Sequence, residues 1–177
     1  MLRAGLATAA AALALAGAAR AEVVDAQPNG FEVRQSVTIA APPAKVWAAL
    51  VQPGQWWNSA HSWSGDAKNL RLDARAGGCW CETLPNGGGA AHLRVIYVEP
   101  GKALRLEGAL GPFQFSGATG HLVWTLKEDA GKTVLTQTYD LGGYMQGGLG
   151  THAPAVDGVL TDAITRLKAF VETGKPG

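Results

Sequence analysis

The stretch from Lys68 to Leu141 most constrains how this chain can fold, because short alternating apolar runs follow one another there, each closed by a turn signal. Asn69 to Asp73, Cys79 to Leu84, Ala91 to Val98, Ala103 to Glu107, Gly120 to Lys127 and Thr133 to Leu141 read as half-buried strands. Ala76-Gly77-Gly78, Pro85-Asn86-Gly87, Pro100-Gly101, Gly111-Pro112 and Asp129 to Lys132 separate them. The pattern predicts an antiparallel meander of about six strands. One hairpin can be set in register from its pattern: with Asp129 to Lys132 as the loop, Leu126 faces Leu135, Trp124 faces Gln137 and Leu122 faces Tyr139. The same alternation turns Leu93, Val95, Tyr97, Leu104 and Leu106 inward and His92, Arg94, Arg105 and Glu107 outward.

Upstream, Phe31 to Ala40 reads as a further strand, and Pro43 to Val51 as a short helix with Val46, Trp47 and Leu50 on one face. Trp56, Trp57 and Trp63 then mark an aromatic-rich loop or second short helix. At the other end Val156, Val159, Leu160, Ala163, Ile164, Leu167, Phe170 and Val171 recur at helical spacing, predicting a long helix over Pro154 to Thr173 stopped by Gly174. A strand, small helices, a meander and one long helix make an α+β order, in which the helix must cover the apolar face of the sheet.

The first residues obey a different pattern. Arg3, the Ala- and Leu-rich run from Ala4 to about Ala18, and Ala19-Arg20-Ala21 give the three regions of a signal peptide cleaved after Ala21. The apolar run is nearer fifteen residues than the roughly twenty that span a bilayer, which disfavours an anchor. The expected organisation is a signal peptide over residues 1–21 and one domain over 22–177, exported to the periplasm or secreted, with no stable membrane insertion after cleavage. At 177 residues, 47% hydrophobic and 16% charged, the chain can bury a core. A net charge of +1 without charge runs leaves no electrostatic footprint for nucleic acid.

Several local motifs resemble the START-like (SRPBCC, Bet v 1-like helix-grip) superfamily, in the branch related to the Hsp90-activator homology and polyketide cyclase domains. They are the strand followed by Ala41-Pro42-Pro43-Ala44-Lys45-Val46-Trp47, the Trp56-Trp57 pair, Gly77-Gly78 opening a strand, the Val98-Glu99-Pro100-Gly101-Lys102-Ala103-Leu104 turn, and the terminal helix. The resemblance implies a helix-grip fold: a curved antiparallel sheet of about seven strands wrapped on the C-terminal helix, with a cavity between them for lipids, polyketides or other hydrophobic molecules. Cys79-Trp80-Cys81-Glu82 departs from the arginine or other polar residues and aromatic that tend to follow Gly-Gly in that branch.

Trp56, Trp57, Trp80, Tyr97, Leu106, Trp124 and Tyr139 are the candidate ligand-binding residues, since flat aromatic and apolar surfaces hold an apolar ligand. Glu82 shares the strand face of Trp80. It is either an acid/base group in the cavity, its pKa raised by desolvation, or a solvated residue at the rim. With Trp80 and Glu82 on the cavity side Cys79 and Cys81 face outward, and with the phase reversed they line the cavity. Two strand residues on one face stand roughly 6.5 to 7 Å apart, so an unstrained bridge between them is not expected. His61 and His152 lie in loops flanking the expected entrance, and His92 and His121 are expected on the outer face. No histidine or cysteine spacing matches a metal site, and no cofactor motif occurs. The glycine-rich stretch from Gly142 to Gly150 either gates the cavity or merely connects.

These observations lead to an exported binder or carrier of a small hydrophobic molecule, lipid, polyketide-like or aromatic. The alternative is a cavity enzyme of cyclase, hydratase or hydrolase type using Glu82, with Tyr97 or Tyr139 as partner. A third reading is a protein-interaction module, which requires a collapsed cavity.

Overall fold

The computed structural model describes residues 19–177. Eight strands form one antiparallel sheet: β1 (Arg20–Gln27), β2 (Gly30–Ile39), β3 (Leu70–Leu72), β4 (Cys79–Thr83), β5 (Gly89–Glu99), β6 (Ala103–Gly108), β7 (Gly117–Asp129) and β8 (Lys132–Tyr144). Two α-helices, α1 (Pro43–Leu50) and α2 (Ala153–Thr173), complete the regular structure with single 3-10 turns between strands. The sheet order is β1-β2-β8-β7-β6-β5-β4-β3. The meander thus returns its last strand beside β2, and the curved sheet stays open. This is the helix-grip architecture.

The hairpin register expected for β7 and β8 is the one observed, with Leu122 opposite Tyr139, Trp124 opposite Gln137 and Leu126 opposite Leu135. The loop is tighter than four residues: Asp129 already pairs with Lys132. Ala130 and Gly131 both take positive φ, at 47° and 77°, as a two-residue turn that matches strand twist requires. The eighth strand, β1, was not expected. All its residues are exposed and it lies at the sheet edge, so no burial pattern marks it. It begins at Arg20, which pairs with Ser36, so cleavage after Ala21 would remove its first two residues. The remainder of the predicted signal peptide, through residue 18, lies outside the described residues.

Helix α2 lies on the concave face, burying Leu160, Ala163, Ile164, Leu167 and Val171. Its attachment is polar as well as apolar. Gln137 Nε2 donates to Gln35 Oε1 at 2.9 Å and to the Leu160 carbonyl at 3.1 Å, while Gln137 Oε1 accepts from Trp124 Nε1 at 2.6 Å. Gln35 Nε2 reaches Asp157 at 2.6 Å. Gln35 and Gln137 are fully buried, so each bond also avoids the desolvation cost of an unpaired amide. No helix among the described residues is long and apolar enough to cross a membrane.

Strand β5 breaks simple alternation twice. Between its pairs with β4, Trp80–Leu93 and Cys81–Ala91, it carries one extra residue, His92. Between its pairs with β6, Val95–Leu106 and Tyr97–Arg105, it carries another, Ile96. Each bulge reverses the facing of the residues beyond it. His92 and Leu93 therefore both point inward, and Ile96 and Tyr97 both point outward. Two expectations are corrected: His92 is buried instead of solvated, and Tyr97 is 39% exposed, under the Arg105 guanidinium and bonded to Glu99.

Candidate ligand-binding cavity

Between the concave face and α2 opens a cavity of about 340 Å³. One wall is tryptophan. Trp57 meets Trp80 edge to face with ring centroids 5.1 Å apart, and behind them Trp80 packs on Trp124 at 5.6 Å and Trp57 on Trp56 at 5.8 Å. Such contacts add about 0.5 to 1.5 kcal/mol each beyond the area they bury. Trp56 Nε1 is fixed on the Ala49 carbonyl and Trp57 Nε1 on the His61 carbonyl, both at 3.0 Å. The opposite wall comes from Leu110 to Phe113, Tyr139 and His152, with Phe31 behind Phe113 at 5.9 Å. Helix α2 supplies Val156, Val159 and Leu160, and Trp63 stands at the rim against the exposed Phe115.

Of the candidate ligand residues, Trp57, Trp80 and Tyr139 line this cavity. Trp56, Leu106 and Trp124 are buried in the core beside it, and Tyr97 lies on the outer face. His61 and His152, placed at the entrance by sequence, are both on the wall. Residues 142–150 are not: Gly142 to Tyr144 belong to β8, and Leu149 is buried and bonded to the Pro28 carbonyl. The wall segment from Leu110 to Phe113 carries no sequence signal beyond the Gly111-Pro112 turn.

Glu82 is buried at 2% exposure, so it does not sit at the rim in water, and it lies behind the cavity wall instead of on it. Its carboxylate accepts from the amides of Trp63 at 3.0 Å and Ser64 at 2.6 Å and pairs with His92 Nε2 at 2.9 Å. Burial alone pushes the carboxyl upward. The Ser64 side chain and amide, the Trp63 amide and His92 together outweigh it, and the group titrates below the ordinary carboxylate range. The expected rise is thus reversed, because desolvation was anticipated and the two backbone donors were not. His92 is the member of the pair that lines the cavity.

On the convex side of β4, Cys79 and Cys81 are half-buried and joined as a disulfide. Their Cα atoms are 5.4 Å apart, well inside the bridging range and closer than two alternate residues of a fully extended strand. Burial pushes the Tyr139 phenol above its ordinary range, so it stays protonated, and its oxygen accepts from the Leu110 amide at 3.0 Å. Among the described residues no three histidine, cysteine or carboxylate side chains are disposed to hold a metal ion.

Solved structures repeat this architecture. A conserved protein of unknown function from Enterococcus faecalis is 19% identical, with 84% of this chain and 75% of that one covered and a TM-score of 0.60. The Aha1 dimer from Colwellia psychrerythraea is 16% identical over 81% of this chain and 98% of that one, at a TM-score of 0.58. DynU16, a protein of the dynemicin biosynthetic locus, is 25% identical over 82% of this chain and 48% of its own, at 0.55. Comparison with curated proteins finds no match. The sequence from residue 30 to residue 172 fits the family model described as polyketide cyclase/dehydrase and lipid transport, and the chain belongs to that family.

Proposed function

We propose that this protein binds and carries a small hydrophobic molecule outside the cytoplasm. The observation that carries the reading is the open cavity of about 340 Å³ whose walls are tryptophan, phenylalanine and the apolar residues of α2. Rings held in place by their packing on one another, and in Trp57 by its hydrogen bond to the His61 carbonyl, offer an apolar ligand contact area with little ordering cost at the moment of binding. An open cavity also speaks against the protein-interaction reading, which requires collapse. Export rests on the pattern of the first 21 residues and is tested by locating the processed chain in cell fractions. For binding, the delipidated protein is titrated with naphthalene-sized aromatic, fatty-acid and sterol-like probes by calorimetry. Saturable binding near the micromolar range is expected, and no affinity better than about millimolar would sink the proposal.

One observation favours a second reading, an enzyme of the cyclase or hydratase type: a buried carboxylate holds an imidazole against the cavity. In that case His92 is the acid/base group and Glu82 positions it. A naphthyl methyl ketone bound in heavy water separates the readings. A working base speeds deuterium uptake at its α-carbon, whereas a carrier leaves the exchange rate of the free ketone unchanged.

A further inference from the structure

The carrier reading does not say which polar group the ligand bears, and one group on the wall, the His92 imidazole, does. Every contact to the Glu82 carboxylate other than His92 comes from a donor, the Trp63 and Ser64 amides and the Ser64 hydroxyl, and an ionised carboxylate can only accept. The proton of the 2.9 Å contact with His92 therefore belongs to Nε2. In the neutral ring this leaves Nδ1 as a lone-pair acceptor and nothing else. Nδ1 has no hydrogen-bond partner among the described residues, and the imidazole is part of the cavity wall.

We propose that the ligand is a hydrophobic molecule carrying a phenolic or enolic hydroxyl, which donates to Nδ1 of His92. Resting on the reading of the cavity as a ligand site, the proposal adds the ligand's chemical class. An ether in place of the hydroxyl leaves Nδ1 unpaired and pays its desolvation in full, which is the physical source of selectivity.

The test is calorimetric titration at about pH 8, where an ordinary imidazole is neutral, with 2-naphthol, 2-methoxynaphthalene and 2-naphthoate. The wild type is expected to bind 2-naphthol about tenfold more tightly than 2-methoxynaphthalene. His92→Phe should lose that preference. Glu82→Leu is the second variant: without the acceptor that fixes the ring proton on Nε2, the proton is free to occupy Nδ1, and the preference for the hydroxyl should fall. A merely structural role for the pair would weaken all three probes together and leave their ratio unchanged, which overturns the proposal. Equal affinity of the wild type for naphthol and its methyl ether overturns it, as does tightest binding of naphthoate, which would mark a cationic ring. If no probe binds, the carrier reading itself has failed.

Discussion

His92 Nε2 lies 2.9 Å from the Glu82 carboxylate although alternation counted from the buried Leu93 would put the two side chains on opposite faces of the sheet, and one surplus residue in β5 brings them together. The contact joins a strand position that alternation turns outward to a carboxylate whose expected partner is Tyr97 or Tyr139.

The pH dependence of stability follows from the lowered Glu82 pKa. A carboxyl held lower in the folded than in the unfolded chain contributes stability that is fully present above its unfolded value, about 4.3. That contribution is lost as pH falls through the lower folded value. Urea midpoints of the wild type and Glu82→Gln, measured from about pH 7 to about pH 3, should converge as the medium is acidified. A gap that stays constant over this window would contradict the ionised, donor-saturated carboxylate.

Gln137→Ala is expected to destabilise the fold by about 2 to 4 kcal/mol, since it strands the indole N–H of Trp124 and the amide of Gln35 in a buried setting. Equilibrium urea unfolding measures it. A loss below about 1 kcal/mol would mean that water enters and replaces the amide.

Val156→Trp places a large ring in the cavity from the α2 side, where Val156 is half-buried on the wall. Probe affinity should fall at least about tenfold while stability changes by less than about 1 kcal/mol, because the new ring fills existing space. Undiminished binding would locate the probe elsewhere on the molecule.

The Cys79–Cys81 bridge closes a very short loop, and chain-entropy reasoning gives such a loop only about 1 to 2 kcal/mol. The double variant Cys79→Ser/Cys81→Ser should therefore remain folded with a slightly lower urea midpoint. Mass analysis of the unreduced wild type should find no free thiol.

What was legible in the sequence was whatever repeated over several positions. The β7–β8 register could be read because both strands alternate without interruption from Leu122 to Leu126 and from Leu135 to Tyr139. Helix α2 could be read from its apolar spacing, and Trp57, Trp80 and Tyr139 from their type and phase. β1 could not be read, because a strand exposed on every residue has no burial pattern to betray it. The acid–imidazole pair was hidden for a different reason. Backbone bulges carry no obligatory residue type, so the pairing of β5 with its neighbours, known only in three dimensions, decides which way His92 and Tyr97 turn.

The two bulges in β5 behave as compensating frameshifts. His92 slips the strand by one position and Ile96 slips it by one more, so Ala90 and Val98 share a face, as two residues eight positions apart do in an unbroken strand. Were both residues excised, Leu93 and Val95 would still face the core, and only the imidazole and one outer side chain would be missing. The polar group that gives the cavity its chemistry thus occupies a letter the ladder does not need to spell its register. Residues at such a surplus position are free to change under selection for a new ligand without asking any neighbouring strand to re-pair.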